Sequence, residues 1–162
     1  MVMIKDLLQL DLVLDRIAST DKRGVIREFA EMLRSRDRIR DESELVRVLL
    51  ERESLGSTGI GDGVAIPHAK LHQLREMIVA FGRSDQGVEY DAMDARPVHL
   101  FFLLVTPDDR PGEHLRALAR ISRILKNPAL REQLRQAPGR EDILKLIHEE
   151  DGKYPQPQAI QR

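Results

Sequence analysis

Few residues of this chain could carry chemistry: five His, the carboxylates, Arg and the hydroxyl residues. There is no Cys, which excludes thiolate nucleophiles, disulfides, thiolate zinc sites and iron–sulfur clusters. One stretch concentrates unusual residues. Gly56-Ser-Thr-Gly-Ile-Gly-Asp-Gly63 places four of the ten Gly in eight positions and runs into Val64-Ala-Ile-Pro-His68. Pro67 fixes its own φ and biases Ile66 toward an extended backbone, so the His68 ring has a defined place. Glycine backbone beside it can approach a ligand closely and present N–H groups to an anion. A neutral imidazole is a nucleophile that forms covalent intermediates, phosphorus being one of its electrophiles. A single such His is more often a hydrogen-bonded or solvated residue, so the reading depends on its companions.

Two companions stand out. His114 falls in the first turn of a helix opened by Pro111-Gly-Glu, where Pro is well placed because its missing N–H leaves nothing unpaired. The positive helix end disfavours imidazolium, so His114 is expected to stay neutral near pH 7 and to donate a hydrogen bond to an anion, which helix N-termini also favour. Arg52 lies at the end of the helix leading into the glycine run, and its guanidinium could hold two phosphate oxygens in a planar fork. The plainer reading is a solvated Arg, with Glu51 and Glu53 pairing with neighbours.

Other devices fail. The glycine run ends in Asp62-Gly63-Val64 with no Lys, so it is not a P-loop; a dinucleotide fingerprint needs the opposite order of strand and helix. His68 and His72 are four apart, but Pro67 and the glycines argue against the helix that would make them joint metal ligands, and no metal is expected. His99, inside an apolar strand, reads as a core residue, and His148 as an exposed one on the last helix.

The positioning elements follow from periodicity. Met3–Leu10 reads as a short amphipathic turn, Leu12–Ile17 as a strand, and residues 21–36 as a helix capped by Thr20. Asp41 opens a second helix that stops near Leu55–Gly56. Gly56–Gly63 reads as a loop running into a short extended segment. Met77–Gly82 is an expected strand, and Val98–Val105, apolar on both faces, the expected centre of a sheet. Three helices follow, opened at Pro111, Pro128 and Gly139. The interleaving predicts an α/β sheet covered by helices; strand order is not readable.

The 162 residues suit one domain. Lys plus Arg number 26 and Asp plus Glu 27, for a net charge of −1, which argues against a nucleic-acid partner. The longest strongly apolar run, Val98–Val105, is far short of the roughly 20 residues of a membrane span. Lys5, Asp6 and Asp11 come too early for a signal-peptide core, so the cytoplasm is the expected location.

The stretch LLERESLGSTGIGDGVAIPHAKL, Leu49–Leu71, closely resembles the active-site segment of type 2 (fructose/mannitol-type) EIIA domains of the bacterial phosphoenolpyruvate-dependent phosphotransferase system. Arg52, the Gly-Ser-Thr-Gly-Ile-Gly run and Ala-Ile-Pro-His occur in order and at family spacing. The likeness extends over about residues 3–148, including the PGEHLRALARISRIL helix, and is strongest to the nitrogen-regulatory members. It implies a single-domain α/β fold with a mixed β-sheet sandwiched between helices over residues 1–150; the tail 151–162, with its two Pro and three Gln, is expected to be flexible. It implies that His68 accepts a phosphoryl group from an HPr-like phosphocarrier and later releases it. Arg52 and His114 would touch that group, and the amides of Gly59, Ile60 and Gly61 would hold its oxygens. No cofactor is implied. Onward partners would be an EIIB component, if the chain serves a sugar permease, or regulatory target proteins, if phosphorylation only switches binding. An apolar patch is expected around the site. Ala69 stands where the family commonly has Gly, which a negative φ would tolerate.

Overall fold

The computed structural model describes residues 3–155. Its centre is one six-stranded mixed sheet: β1 (Val13–Leu14), β2 (Gly59–Gly61), β3 (Val64–Ala65), β4 (His68–Leu71), β5 (Ile78–Val88) and β6 (Val98–Pro107). The order is β1-β5-β6-β3-β2, with β4 also paired to β6. β5 and β6 are antiparallel, β3 and β4 both run parallel to β6, and β1 runs parallel to β5. β6 is the most apolar segment and is buried along its length apart from half-buried His99, as befits a strand flanked on both edges and covered on both faces.

The helices are α1 (Ile4–Leu7), α2 (Lys22–Ser35), α3 (Glu42–Ser54), α4 (Pro111–Leu125), α5 (Pro128–Gln136) and α6 (Arg140–Gly152). Alternation along β6 separates two layers. Phe101 points to α2, where its ring meets Phe29 edge-on at 6.5 Å. Thr106, of opposite parity, bonds His114 of α4. Helices therefore cover both faces, α2 with α3 on one and α4 on the other. Gly82, paired with Phe101, lets α2 come close: a Cβ there would lie 2.7 Å from Phe29 Cζ and 2.8 Å from Ile17 Cδ1.

Several boundaries differ from the sequence expectation. Asp21, not Thr20, caps α2, accepting from Gly24 N–H at 2.7 Å; Asp41 caps α3 as expected, accepting from Glu44 N–H at 3.1 Å. The first strand is confined to Val13–Leu14, although Ile17 N–H still reaches Arg83 C=O at 2.8 Å. β5 continues six residues past Gly82 through a bulge, where Ser-Asp-Gln-Gly hides any alternation. The glycine run contains β2, and β4 forms directly after Pro67. α6 reaches Gly152, so the expected tail begins inside a helix. Asp151 is buried there, bonded by Arg120 and by Lys5 N–H. The rest of that tail, residues 156–162, lies outside the described residues.

Candidate functional site

The site forms where three elements meet at one edge of the sheet. β4 has β6 as its one partner strand, so its other side is open to the end of α3. Pro67 separates β3 from β4, yet its carbonyl still accepts from Leu104 N–H at 3.0 Å, which keeps the segment in register with β6. His68 pairs with Leu104 and so shares the face of Thr106, toward α4. Ala69, with no positive φ, is buried opposite Val105; its Cβ is accommodated as ordinary strand.

The hydrogen bonds fix the His68 tautomer. Nδ1 lies 2.7 Å from Ile66 C=O, which can only accept, so Nδ1 carries the proton. Nε2 accepts from Arg52 Nε–H at 3.2 Å. Its lone pair is thus the ring's nucleophilic atom, facing a guanidinium. Arg52 is braced in turn by Nη1–H to Gly56 C=O at 2.9 Å. Gly56, with φ +143° just past the end of α3, allows the chain to double back there.

His114 stands beside this pair. The two imidazole centroids are 5.4 Å apart, with the rings tilted by 58°. His114 is 4 % exposed, and its Nδ1 lies 2.6 Å from Thr106 Oγ1. Every buried side-chain polar atom among the described residues has a partner, and Nε2 has none among them, so Nε2 is not wholly buried. In the tautomer in which Thr106 O–H donates to Nδ1, Nε2 bears the proton and can donate outward.

Both rings are biased toward neutrality. Burial lowers the His68 pKa; the Ile66 carbonyl opposes this, and Arg52 adds to it. His114 is lowered to about 4, first by burial, then by His68 and Lys70. The direction agrees with the sequence expectation for His114, but the causes are desolvation and neighbouring charge, where the helix end alone had been invoked.

Arg52, His68 and His114 therefore come together. The glycine segment sits differently from the expectation. Gly59 pairs with Ala65, and Thr58 C=O accepts from Ile66 N–H at 3.0 Å. Gly56 C=O is tied to the site through Arg52 Nη1–H at 2.9 Å. The Gly59 amide already donates to Ser57 Oγ at 3.1 Å, Ile60 faces solvent, and a Cβ on Gly61 would point at the Asp94 carboxylate.

Glu53, which the sequence offers only as an ion-pair partner, has a larger place in the structure. It is buried beside Arg52 and accepts from Thr58 N–H at 3.0 Å, from the Thr58 hydroxyl and from Tyr90 O–H at 2.8 Å, while Lys22 Nζ lies 3.2 Å away. Burial and the Glu53 charge push the Tyr90 hydroxyl well above its usual pKa. A helical Glu next to Arg carries little local signal for this, because besides Thr58 its partners come from α2 and from the chain preceding β6.

The remaining His residues lie elsewhere. His72 pairs with Asp108 at 3.2 Å in an exposed position. The extended chain sets it roughly 13 Å along from His68 at about 3.3 Å per residue. His99 is half-buried and bonds Ser84 C=O through Nδ1 at 2.9 Å. His148 is a correction: it is half-buried, with Nε2–H donating to Leu8 C=O at 2.9 Å, because α6 packs against α1. Leu55 (84 %), three residues past Arg52, and Leu115 (67 %), next to His114, are exposed, as are Ile60 (47 %) on β2 and Met93 (80 %), whose N–H bonds Gly59 C=O. No helix of the described residues is long and apolar enough to cross a membrane.

A mixed sheet lies between two helical layers, with two imidazoles and a guanidinium brought together at one sheet edge. The profile of the family described as "Phosphoenolpyruvate-dependent sugar phosphotransferase system, EIIA 2" matches residues 6–150, and the chain belongs to that family. It is 35 % identical over 144 residues to a nitrogen regulatory protein of Bradyrhizobium diazoefficiens, covering 89 % of this chain and 94 % of that one. It is 38 % identical over 135 residues to a fructose-specific EIIABC component of Bacillus subtilis; that match takes in 83 % of this chain but only 21 % of the longer relative. The crystal structure of the nitrogen regulatory protein IIA-Ntr from Neisseria meningitidis superposes with a TM-score of 0.83 at 30 % identity, covering 89 % of this chain and 98 % of that one.

Proposed function

We propose that this chain is a phosphohistidine relay protein of the nitrogen-regulatory type, in which His68 Nε2 takes a phosphoryl group from a phosphorylated His of an HPr-like carrier. The observation that carries the reading is the His68 tautomer. The Nδ1 proton is held by Ile66 C=O, which leaves the Nε2 lone pair directed at Arg52 beside the His114 ring, 5.4 Å away between centroids.

The step is a displacement at phosphorus. The His68 Nε2 lone pair forms the new N–P bond on one side while the donor's N–P bond breaks on the other, and its electron pair returns to the donor imidazole. No proton needs to cross. Such transfer depends on placement and charge stabilisation more than on covalent help. Arg52 would meet the equatorial oxygens with a charged planar donor set, and His114 Nε2–H would supply a neutral donor beside it. As the phosphoryl group arrives, Arg52 Nε–H changes acceptor from Nε2 to a phosphoryl oxygen. The exposed Leu55, Ile60, Met93 and Leu115 suit a carrier that must exclude water yet leave again.

Regulatory use is favoured by the near full-length match to nitrogen regulatory proteins. Service to a sugar permease through an EIIB component is the second reading, favoured by the slightly higher identity to the fructose-specific relative. Incubation with phosphoenolpyruvate, enzyme I and an HPr-type carrier should add a phosphoryl mass of about 80 Da, labile in acid and absent in His68→Ala. No gain with any carrier overturns the relay reading. Rapid transfer onward to an EIIB would favour the permease over the regulatory role.

A further inference from the structure

We propose that Glu53 is a positioning residue for the phosphoryl-accepting imidazole, acting through a continuous chain of hydrogen bonds; the proposal rests on the relay reading of His68. Glu53 is the residue next to Arg52 on the last turn of α3, yet it faces inward where Arg52 faces the site. One carboxylate oxygen takes the Thr58 and Tyr90 hydroxyls, the other the Thr58 amide and Lys22 Nζ. Four donors converge on one buried group, which is how a buried carboxylate is made tolerable.

The chain then runs on to the site. Thr58 is held by Glu53 at both its amide and its hydroxyl, and its carbonyl accepts from Ile66 N–H at 3.0 Å. The Ile66 carbonyl accepts the Nδ1 proton of His68 at 2.7 Å. Glu53 is therefore three links from the proton that decides which ring nitrogen is free, and it fixes the segment that supplies the accepting carbonyl. From its other side, the same helical turn presents Arg52 to Nε2. Its charge also acts on the ring directly: Glu53 raises the His68 pKa, while Arg52 and Lys70 lower it. A carboxylate serving only as an anchor for the loop would affect stability and leave the ring unchanged.

The test uses the full chain labelled with 15N. Long-range 1H–15N spectra report the His68 tautomer, and single-turnover transfer from a phosphorylated HPr-type carrier is followed against carrier concentration. Wild type should show the Nδ1–H form. Glu53→Gln, which sets an amide N–H against converging donors and removes the charge, should admit the Nε2–H form and lower the His68 pKa. It should also slow transfer about tenfold at saturating carrier, with the half-saturating carrier concentration changed by less than about twofold. Tyr90→Phe removes one donor of the four and should move the same readouts in the same direction by less. Should Glu53→Gln not fold, Thr58→Val, which deletes the hydroxyl link, must show the tautomer shift and the slower transfer. Folded variants with a lower melting temperature but the wild-type tautomer and rate overturn the proposal. If wild type takes no phosphoryl group, the relay reading fails, while the tautomer spectra still decide whether Glu53 sets the ring.

Discussion

Arg52→Lys separates a guanidinium's geometry from its charge. Arg52 makes two hydrogen bonds from different nitrogens: Nε–H to His68 Nε2 at 3.2 Å and Nη1–H to Gly56 C=O at 2.9 Å. One brings the positive group to the reacting nitrogen while the other braces the end of α3. A Lys ammonium is a single point on a flexible stem and can satisfy one of these at a time. Hydrogen bonds involving a charged group contribute about 1.5–3 kcal/mol. Losing one aligned contact to the transferring group should therefore slow transfer roughly ten- to a hundredfold, at about 1.4 kcal/mol per factor of ten. Retention of charge places the result toward the lower end. Rapid-quench measurement of acid-labile phosphoprotein under single-turnover conditions reads the step directly. A rate within about threefold of wild type would refute the fork argument. It would leave Arg52 as a brace for Gly56, with an effect on melting temperature alone.

Two further expectations concern the neighbouring packing and charge. His114 should link stability to pH. Its native pKa of about 4 lies below the ordinary 6.5, so both states hold it neutral above pH 6.5 and its contribution there is constant. Between 6.5 and about 4 the unfolded chain takes up a proton that the native state refuses, and stability falls by up to about 1.4 kcal/mol per pH unit. Urea midpoints measured across this window for wild type and His114→Gln should converge as the pH drops; parallel curves would deny the shift. Gly82→Ala should destabilise by about 1–3 kcal/mol through overpacking, because its Cβ would collide with Phe29 and Ile17. An unchanged denaturation midpoint would show that α2 can move away freely.

The parts of the site legible in the sequence were those with strong local constraint. Pro67 restricts itself and Ile66, so the placement of His68 followed from two residues. Pro111 marked the start of α4 and hence the first-turn position of His114. Val98–Val105 was legible as the central strand because its apolar run has no polar face. The misses share a cause in non-local pairing. β2 and β4 are three and four residues long, too short to show a period, and exist because β3 and β6 offer them ladder bonds. Glu53 is anchored by Lys22 and Tyr90, distant in sequence, and His148 by a carbonyl 140 positions away. The depressed pKa of His114 was anticipated from a helix end, but burial against Thr106 and the nearness of His68 account for it. The resemblance implies Gly59–Gly61 as the anion cradle; in the structure these residues form β2, paired with β3.

The most direct test of the account is the atom that bears phosphorus. The protein is charged from a phosphorylated HPr-type carrier with 15N-labelled imidazoles and read by 31P–15N coupling at alkaline pH, where phosphoramidates survive. Because Ile66 C=O holds the Nδ1 proton of the free ring, a single N–P bond at Nε2 of His68 is expected. Phosphorus at Nδ1, or on any residue other than His68, would be incompatible with the geometry described.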